Sequence, residues 1–266
     1  MLIDSTLIYP YLPVVAFVPD WIDKNKTSKL ALDWRSALVS FFVKKEFNTQ
    51  EDFLVGSGFL YLCGGKMPCI VTASHVIVEM RKSGLSFISI DGVKFLFEKL
   101  EVFFNDDQDY AVIPLPEKIA MGIPDSKIFT SIHDNSEMKT SSFVIMGYPA
   151  KHNNLHRLRP DKGLTPFNIT FHHFHYERET EDILFHFVPD GKMKNITFEP
   201  ISSTTSIPSL AGMSGGVIAQ IVMHRTNDQF SLLAAGIFKE HRAKRGKYLV
   251  GATFIDFADE VNALIK

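Results

Sequence analysis

The chain has 266 residues, 45% of them hydrophobic and 22% charged, a composition that supports one large or two small domains around a developed core. Lysine and arginine total 28 against 30 acids, so the net charge of −2 carries no global signature of nucleic-acid or membrane binding. The only cysteines, Cys63 and Cys69 in "LCGGKMPC", lack the second ligand pair of a zinc site and read as reduced thiols, which makes a cytoplasmic location the simplest expectation.

Residues 1–31 form an N-terminal leader in which Pro10, Pro13 and Pro19 interrupt the apolar residues; it has no basic start and is neither a signal peptide nor a membrane span. From residue 32 onward the chain is a series of short apolar runs separated by turn residues, the pattern of an all-β protein. The expected strands are "ALVSFFV", "LVGSGFLYL", "CIVTAS", "SFISI", "KFLFEKLEVFF", "YAVIPL", "SFVIMGYP", "FNITFHHFHYE", "DILFHFV", "GGVIAQIV", "LLAAGIF" and "LVGATF". So many runs exceed one small sandwich and fit two packed barrels. The segment "LPEKIAMGIPDSK", Leu115 to Lys127, is rich in proline, glycine and charge and marks the boundary, giving a first barrel over 32–118 and a second over 119–266. At the C-terminus, Phe257, Ala258, Val261, Leu264 and Ile265 recur at helical spacing, with Asp256 available as N-cap and Asp259 and Glu260 in the first turn.

Several local features have ordinary explanations. The basic runs Lys151 to Lys162 and Lys239 to Lys247 read first as solvated loops and second as docking patches for an acidic partner. In the segment His172 to His175, His173 and His175 would share one strand face but find no third ligand, so a polar strand face is the better reading and no metal is expected. The acceptor patterns at Asn168–Thr170 and Asn195–Thr197 have no secretory context.

One stretch demands a chemical reason. "SLAGMSGGVIAQ", Ser209 to Gln220, places a serine among three glycines immediately before an apolar strand. Glycine costs conformational entropy and packs nothing, so a tight turn with N–H groups aimed at a ligand is the economical explanation. A serine hydroxyl is a weak nucleophile unless a base lies within hydrogen-bond reach and an acceptor holds that base in one tautomer. Of the ten histidines, His75 follows the strand "CIVTAS" with only small residues before it, which puts the ring at a strand end. Of the acids in "FFNDDQDYAVIPL", Asp109 abuts the buried strand "YAVIPL", whereas Asp106 and Asp107 read as solvated loop acids.

The segments "GSGFLYL", "IVTASHVI", "DYAVIPL" and "GMSGGVI" together resemble the landmark segments of the chymotrypsin-like serine peptidases, especially the bacterial trypsin-like and HtrA-like branch, in the order histidine, aspartate, serine. The resemblance covers about Ser40 to Lys266. It implies two six-stranded antiparallel barrels, a C-terminal helix, and a triad in which Ser214 attacks, His75 moves the proton and Asp109 orients the imidazole. The backbone N–H groups of Gly212 and Ser214 would form the oxyanion hole. No organic cofactor is implied, and the partners would be a protein or peptide substrate and a separate recruiting or regulatory protein, since no tethering domain is expected after the terminal helix.

The sequence also departs from the family. Met213 stands where the animal digestive members carry an aspartate that pairs with a newly cut N-terminus, so that activation route is excluded. Pro208 stands six residues before the nucleophile, where trypsin-like members carry the aspartate that binds lysine or arginine, and Gly236 in "AAGIFKE" would leave room for a small or apolar side chain. The expected function is thus a serine endopeptidase. Alternatives are a latent interaction module whose oxyanion loop is collapsed, turning on the peptide between Gly212 and Met213, and an esterase or acyl-transfer enzyme using the same nucleophile.

Overall fold

The computed structural model describes residues 11–13, 33–44, 52–64, 67–123, 128–131, 142–151, 153, 164–171, 175–177, 182–186, 209–224, 230–242 and 248–263. Its strands are β1 (Tyr11–Pro13), β2 (Leu38–Lys44), β3 (Asp52–Cys63), β4 (Met67–Thr72), β5 (Leu85–Ile90), β6 (Val93–Leu96), β7 (Phe103–Asn105), β8 (Tyr110–Pro114), β9 (Phe143–Gly147), β10 (Phe167–Phe171), β11 (His175–Glu177), β12 (Asp182–His186), β13 (Val217–His224), β14 (Phe230–Arg242) and β15 (Tyr248–Thr253). Helices are α1 (Ser74–Lys82), α2 (Glu117–Ala120) and α3 (Phe254–Ala263).

The strands form two antiparallel sheets. The first has seven strands in the order β6-β5-β2-β3-β4-β8-β7; the second has eight, in the order β10-β9-β13-β14-β15-β12-β11, with β1 added against β13. Among the described residues the end strands of neither sheet pair with each other, so the two-barrel, all-β architecture is present with the barrels not closed and with unequal strand numbers. "KFLFEKLEVFF" is split into β6, a single 3₁₀ turn over Phe97–Lys99, and β7. The leader enters the second sheet: Tyr11, Leu12 and Pro13 pair with His224, Met223 and Val222.

The apolar runs of β9 and β13 lack period-two alternation because both their faces are covered. Phe143, Ile145, Ile218 and Val222 point into the second barrel's core, while Val144, Met146, Val217, Ala219 and Ile221 join the cluster that continues into the first barrel. The short stretch after the boundary segment, residues 128–131, is bonded to both sheets. Phe129 exchanges backbone hydrogen bonds with Leu60 and Leu62 on β3, and the carbonyl of Thr130 accepts from Ala234 on β14. The Phe129 ring, fully buried, packs on Trp34 (4.4 Å between centroids) and edge-on to Phe59 (5.7 Å).

Three expectations are corrected here. Cys63 and Cys69 are joined as a disulfide across the β3–β4 hairpin rather than being free thiols, which removes the thiol argument for a cytoplasmic location. Helix α3 begins at Phe254, so Asp256 lies inside its first turn and does not cap it. Residues 74–82 form a helix that the sequence does not announce, because its N-cap position is Ala73 and no side chain there bonds the helix. Asn168 is buried in β10 and is closed to modification in the folded chain. No helix among the described residues is long and apolar enough to cross a membrane.

Because Phe129 fills the seam between the sheets, Phe129→Ala is expected to cost about 3–5 kcal/mol and to lower the stability of the whole chain, as measured by urea denaturation.

Candidate active site

The nucleophile segment is two type II turns in tandem. The Met213 N–H donates to Leu210 O (3.0 Å) and the Gly216 N–H donates to Met213 O (2.8 Å), closing turns over Leu210–Met213 and Met213–Gly216. The third residue of each is a glycine with positive φ, Gly212 at 90° and Gly215 at 84°, as this turn type requires. A side chain at Gly215 would also strike Thr72 Oγ1 and Ser57 O, because this turn abuts the residues just ahead of His75. The glycine spacing around Ser214 therefore satisfies turn geometry and close approach together.

Every peptide in this segment is anchored. The Ala211 carbonyl accepts from Ala150 N–H (2.7 Å), Gly212 from Ser57 Oγ–H (2.7 Å), Met213 from Gly216, and Ser214 from Ser57 N–H (2.8 Å). The N–H groups of Met213, Gly215 and Gly216 are likewise bonded, Gly215 to Phe238 O (2.8 Å). Among the described residues, the N–H groups of Gly212 and Ser214 donate to no protein acceptor.

His75 is the second residue of α1, and its side chain is half exposed. Its Nδ1 lies 2.9 Å and 3.0 Å from the two carboxylate oxygens of Asp109, so Nδ1 carries the proton and Nε2 is left as the acceptor. The same carboxylate accepts from the Ser74 hydroxyl (3.0 Å) and the His75 backbone N–H (3.1 Å). Asp109 thus caps from a distance the helix that Ala73 leaves uncapped, where the helix dipole favours negative charge. It sits in the turn between β7 and β8 with φ of 56°, a region that aspartate tolerates better than most residues. Asn105 shapes that turn: its Oδ1 accepts from the N–H groups of Asp107 (3.0 Å) and Gln108 (3.2 Å).

The Ser214 hydroxyl is half-buried and donates to Lys239 O on β14 (2.9 Å); among the described residues it makes no hydrogen bond to His75. Lys239 is held by its ammonium, which donates to Asp182 (3.0 Å), a buried carboxylate on β12 that also accepts from Arg242 (3.3 Å).

The expected specificity residues fare differently. Pro208 lies outside the described residues, as do His172 and His173. Gly236 is buried on β14, and a Cβ there would run into the Ala252 carbonyl of β15 and come within 3.3 Å of Ile183, so the position requires glycine. Among the described residues there is no cluster of three or more metal-ligating side chains. Ser57, Ser74 and Lys239 were not singled out from the sequence. For Ser57 the available signal was its place in "GSGFLYL", but its role depends on contacts with residues more than 90 positions away.

No family model matches the sequence, and no curated protein matches it. Solved structures do match in fold. A serine endoprotease from Yersinia pestis superimposes with a TM-score of 0.50 at 14% identity, covering 91% of this chain and 67% of that one. A thermostable serine protease from an extremophilic microorganism gives 0.50 at 13% identity, covering 90% and 98%. The serine protease domain of the Sesbania mosaic virus polyprotein gives 0.47 at 15% identity, covering 94% and 97%. The fold is that of the chymotrypsin-like serine proteases.

Burial pushes the Asp109 carboxyl up, but the hydrogen bonds from His75 and Ser74 and the nearby imidazole outweigh it and hold the pKa below the usual carboxylate value. A depressed folded pKa contributes stability that is present above the unfolded value of about 3.9 and is lost as the pH falls through the folded value. Asp109→Asn is therefore expected to be less stable than wild type by a constant margin from neutral pH downward, the margin shrinking only below about pH 4, as followed by urea melts across that range.

Proposed function

We propose that this protein is a serine endopeptidase in which Ser214, His75 and Asp109 act as a triad through an acyl-enzyme intermediate. The observation that carries the reading is the double contact of Asp109 with His75 Nδ1, which leaves Nε2 as the base, while Gly215, next to Ser214, lies against Thr72 and Ala73 just ahead of His75. Residues 32–118 would supply the base and acid, residues 119–266 the nucleophile, and residues 1–31 an extension. Within the fold family the motifs are most similar to the bacterial HtrA-like branch.

In the first step, rotation of Ser214 about its Cα–Cβ bond turns the hydroxyl from Lys239 O toward His75, a move between staggered wells. The oxygen attacks the scissile carbonyl as Nε2 takes its proton, and the imidazolium then gives that proton to the leaving amine. The carbonyl oxygen, becoming an oxyanion, is received by the N–H groups of Gly212 and Ser214, where losing a donor costs about 2.7–4 kcal/mol of transition-state stabilisation. Water repeats the sequence on the ester to release the acid. Its substrate would be a protein or peptide, with no cofactor in the chemistry.

The competing picture of a latent interaction module requires a collapsed oxyanion loop. Anchoring of all four carbonyls from Ala211 to Ser214 supports the catalytic reading instead.

Purified wild-type protein is expected to label with a fluorophosphonate probe and Ser214→Ala is not, while His75→Ala is expected to lower kcat on a peptide or ester substrate by about 10⁴-fold or more. A folded wild type that neither labels nor turns over would refute the peptidase reading.

A further inference from the structure

Ser57 is a fully buried serine on β3 of the first sheet, and every polar group it owns is committed. Its N–H donates to Ser214 O (2.8 Å), its hydroxyl donates to Gly212 O (2.7 Å) and accepts from Tyr148 N–H (2.8 Å), and its carbonyl accepts from Thr72 Oγ1–H (2.7 Å). Three of the four partners lie on the second barrel, on both sides of Met213 and on the segment that follows β9.

The consequence for the oxyanion loop follows from peptide planarity. The Gly212 carbonyl and the Met213 N–H belong to one rigid plane, held at one end by the Ser57 hydroxyl and at the other by Leu210 O. That plane lies between the two that carry the hole's donors, sharing one Cα with the Ala211–Gly212 plane of the Gly212 N–H and the other with the Met213–Ser214 plane of the Ser214 N–H, so a displacement of it shifts both donors. Within the second barrel the plane has only the Met213 contact to hold it; the contact at the carbonyl end comes from the first barrel.

We propose that the Ser57 hydroxyl is a positioning residue for the oxyanion hole, coupling the hole's geometry to the docking of the two barrels. This rests on the peptidase reading above. Ser57 touches neither substrate nor reacting atoms; it acts through the Gly212 carbonyl, and through Tyr148 it ties the loop to the same strand end that carries Ala150, the donor to Ala211 O. Removing the hydroxyl leaves the buried Tyr148 N–H and the part-buried Gly212 carbonyl without this partner and releases the Gly212–Met213 plane at its carbonyl end.

The test compares Ser57→Ala with Ser40→Ala on an ester and on the matching thionoester, whose sulfur is a poor acceptor and uses the hole weakly. Ser40 is the fitting control, being a buried serine opposite Ser57 in the β2–β3 register whose hydroxyl, among the described residues, bonds the Ser89 carbonyl of β5 (3.4 Å). The expected result for Ser57→Ala is a 10- to 100-fold loss of kcat on the ester with KM within about twofold, and a much smaller loss on the thionoester. Ser40→Ala should keep both activities even if its melting temperature falls by a similar amount. Should Ser57→Ala fail to fold, the near-isosteric Ser57→Cys, a weaker donor, carries the same readout and should show the same ester-selective loss to a lesser degree. Equal losses on ester and thionoester, or no loss beyond that of Ser40→Ala, would overturn the positioning role while leaving an active wild type to support the peptidase reading. An inactive wild type would remove both.

Discussion

The hydrogen bond from the Ser57 N–H to the Ser214 carbonyl joins the two sheets at the point where the site is assembled. His75 and Asp109 are carried by the helix beside the first sheet and by its β7–β8 turn, Ser214 and its turns by the second sheet. Neither half has a usable arrangement alone, so the relative placement of the sheets sets every distance in the site. Close packing enforces that placement: Gly215 admits no side chain because Thr72 and Ser57 occupy its space, and Phe129 with its neighbouring backbone is pinned between β3 and β14. A seam bonded through its backbone and packed this tightly has little freedom to slide.

The Asp109 carboxylate shows how little separation exists here between holding the fold and arranging the chemistry. It accepts a hydrogen bond from His75 Nδ1–H, and it also accepts from Ser74 and from the His75 backbone at the start of α1. The helix needs an acceptor at its N-terminus and the imidazole needs a fixed tautomer; one side chain in an αL backbone position serves both. The ion pair of Asp182 with Lys239 and Arg242 acts comparably on the other side, fixing the strand whose Lys239 carbonyl meets the serine hydroxyl. Breaking such a buried pair by removing one partner is strongly unfavourable, which keeps that strand in place.

The motifs around His75, Asp109 and Ser214 were legible because each is built from local requirements. Tandem type II turns need glycine at fixed spacing, a buried strand needs an apolar run, and a histidine preceded by small residues at a strand end is conspicuous. The all-β class was legible for the same reason, since short apolar runs between turn residues are a local pattern. Helix α1 was hidden because its cap comes from Asp109, 35 residues beyond Ser74, and the split of β6 from β7 was hidden because the apolar run across them continues through the 3₁₀ turn.

What the sequence by itself determined is therefore the all-β succession of strands and turns and the local settings of His75, Asp109 and Ser214, because backbone sterics and burial periodicity act over a few residues. Only the tertiary structure decided that Cys63 and Cys69 are bonded, that Gly236 packs closely against β15, and that the Ser57 hydroxyl reaches the Gly212 carbonyl. Those facts depend on which surfaces meet when two sheets pack, and no short-range pattern in the chain encodes that meeting.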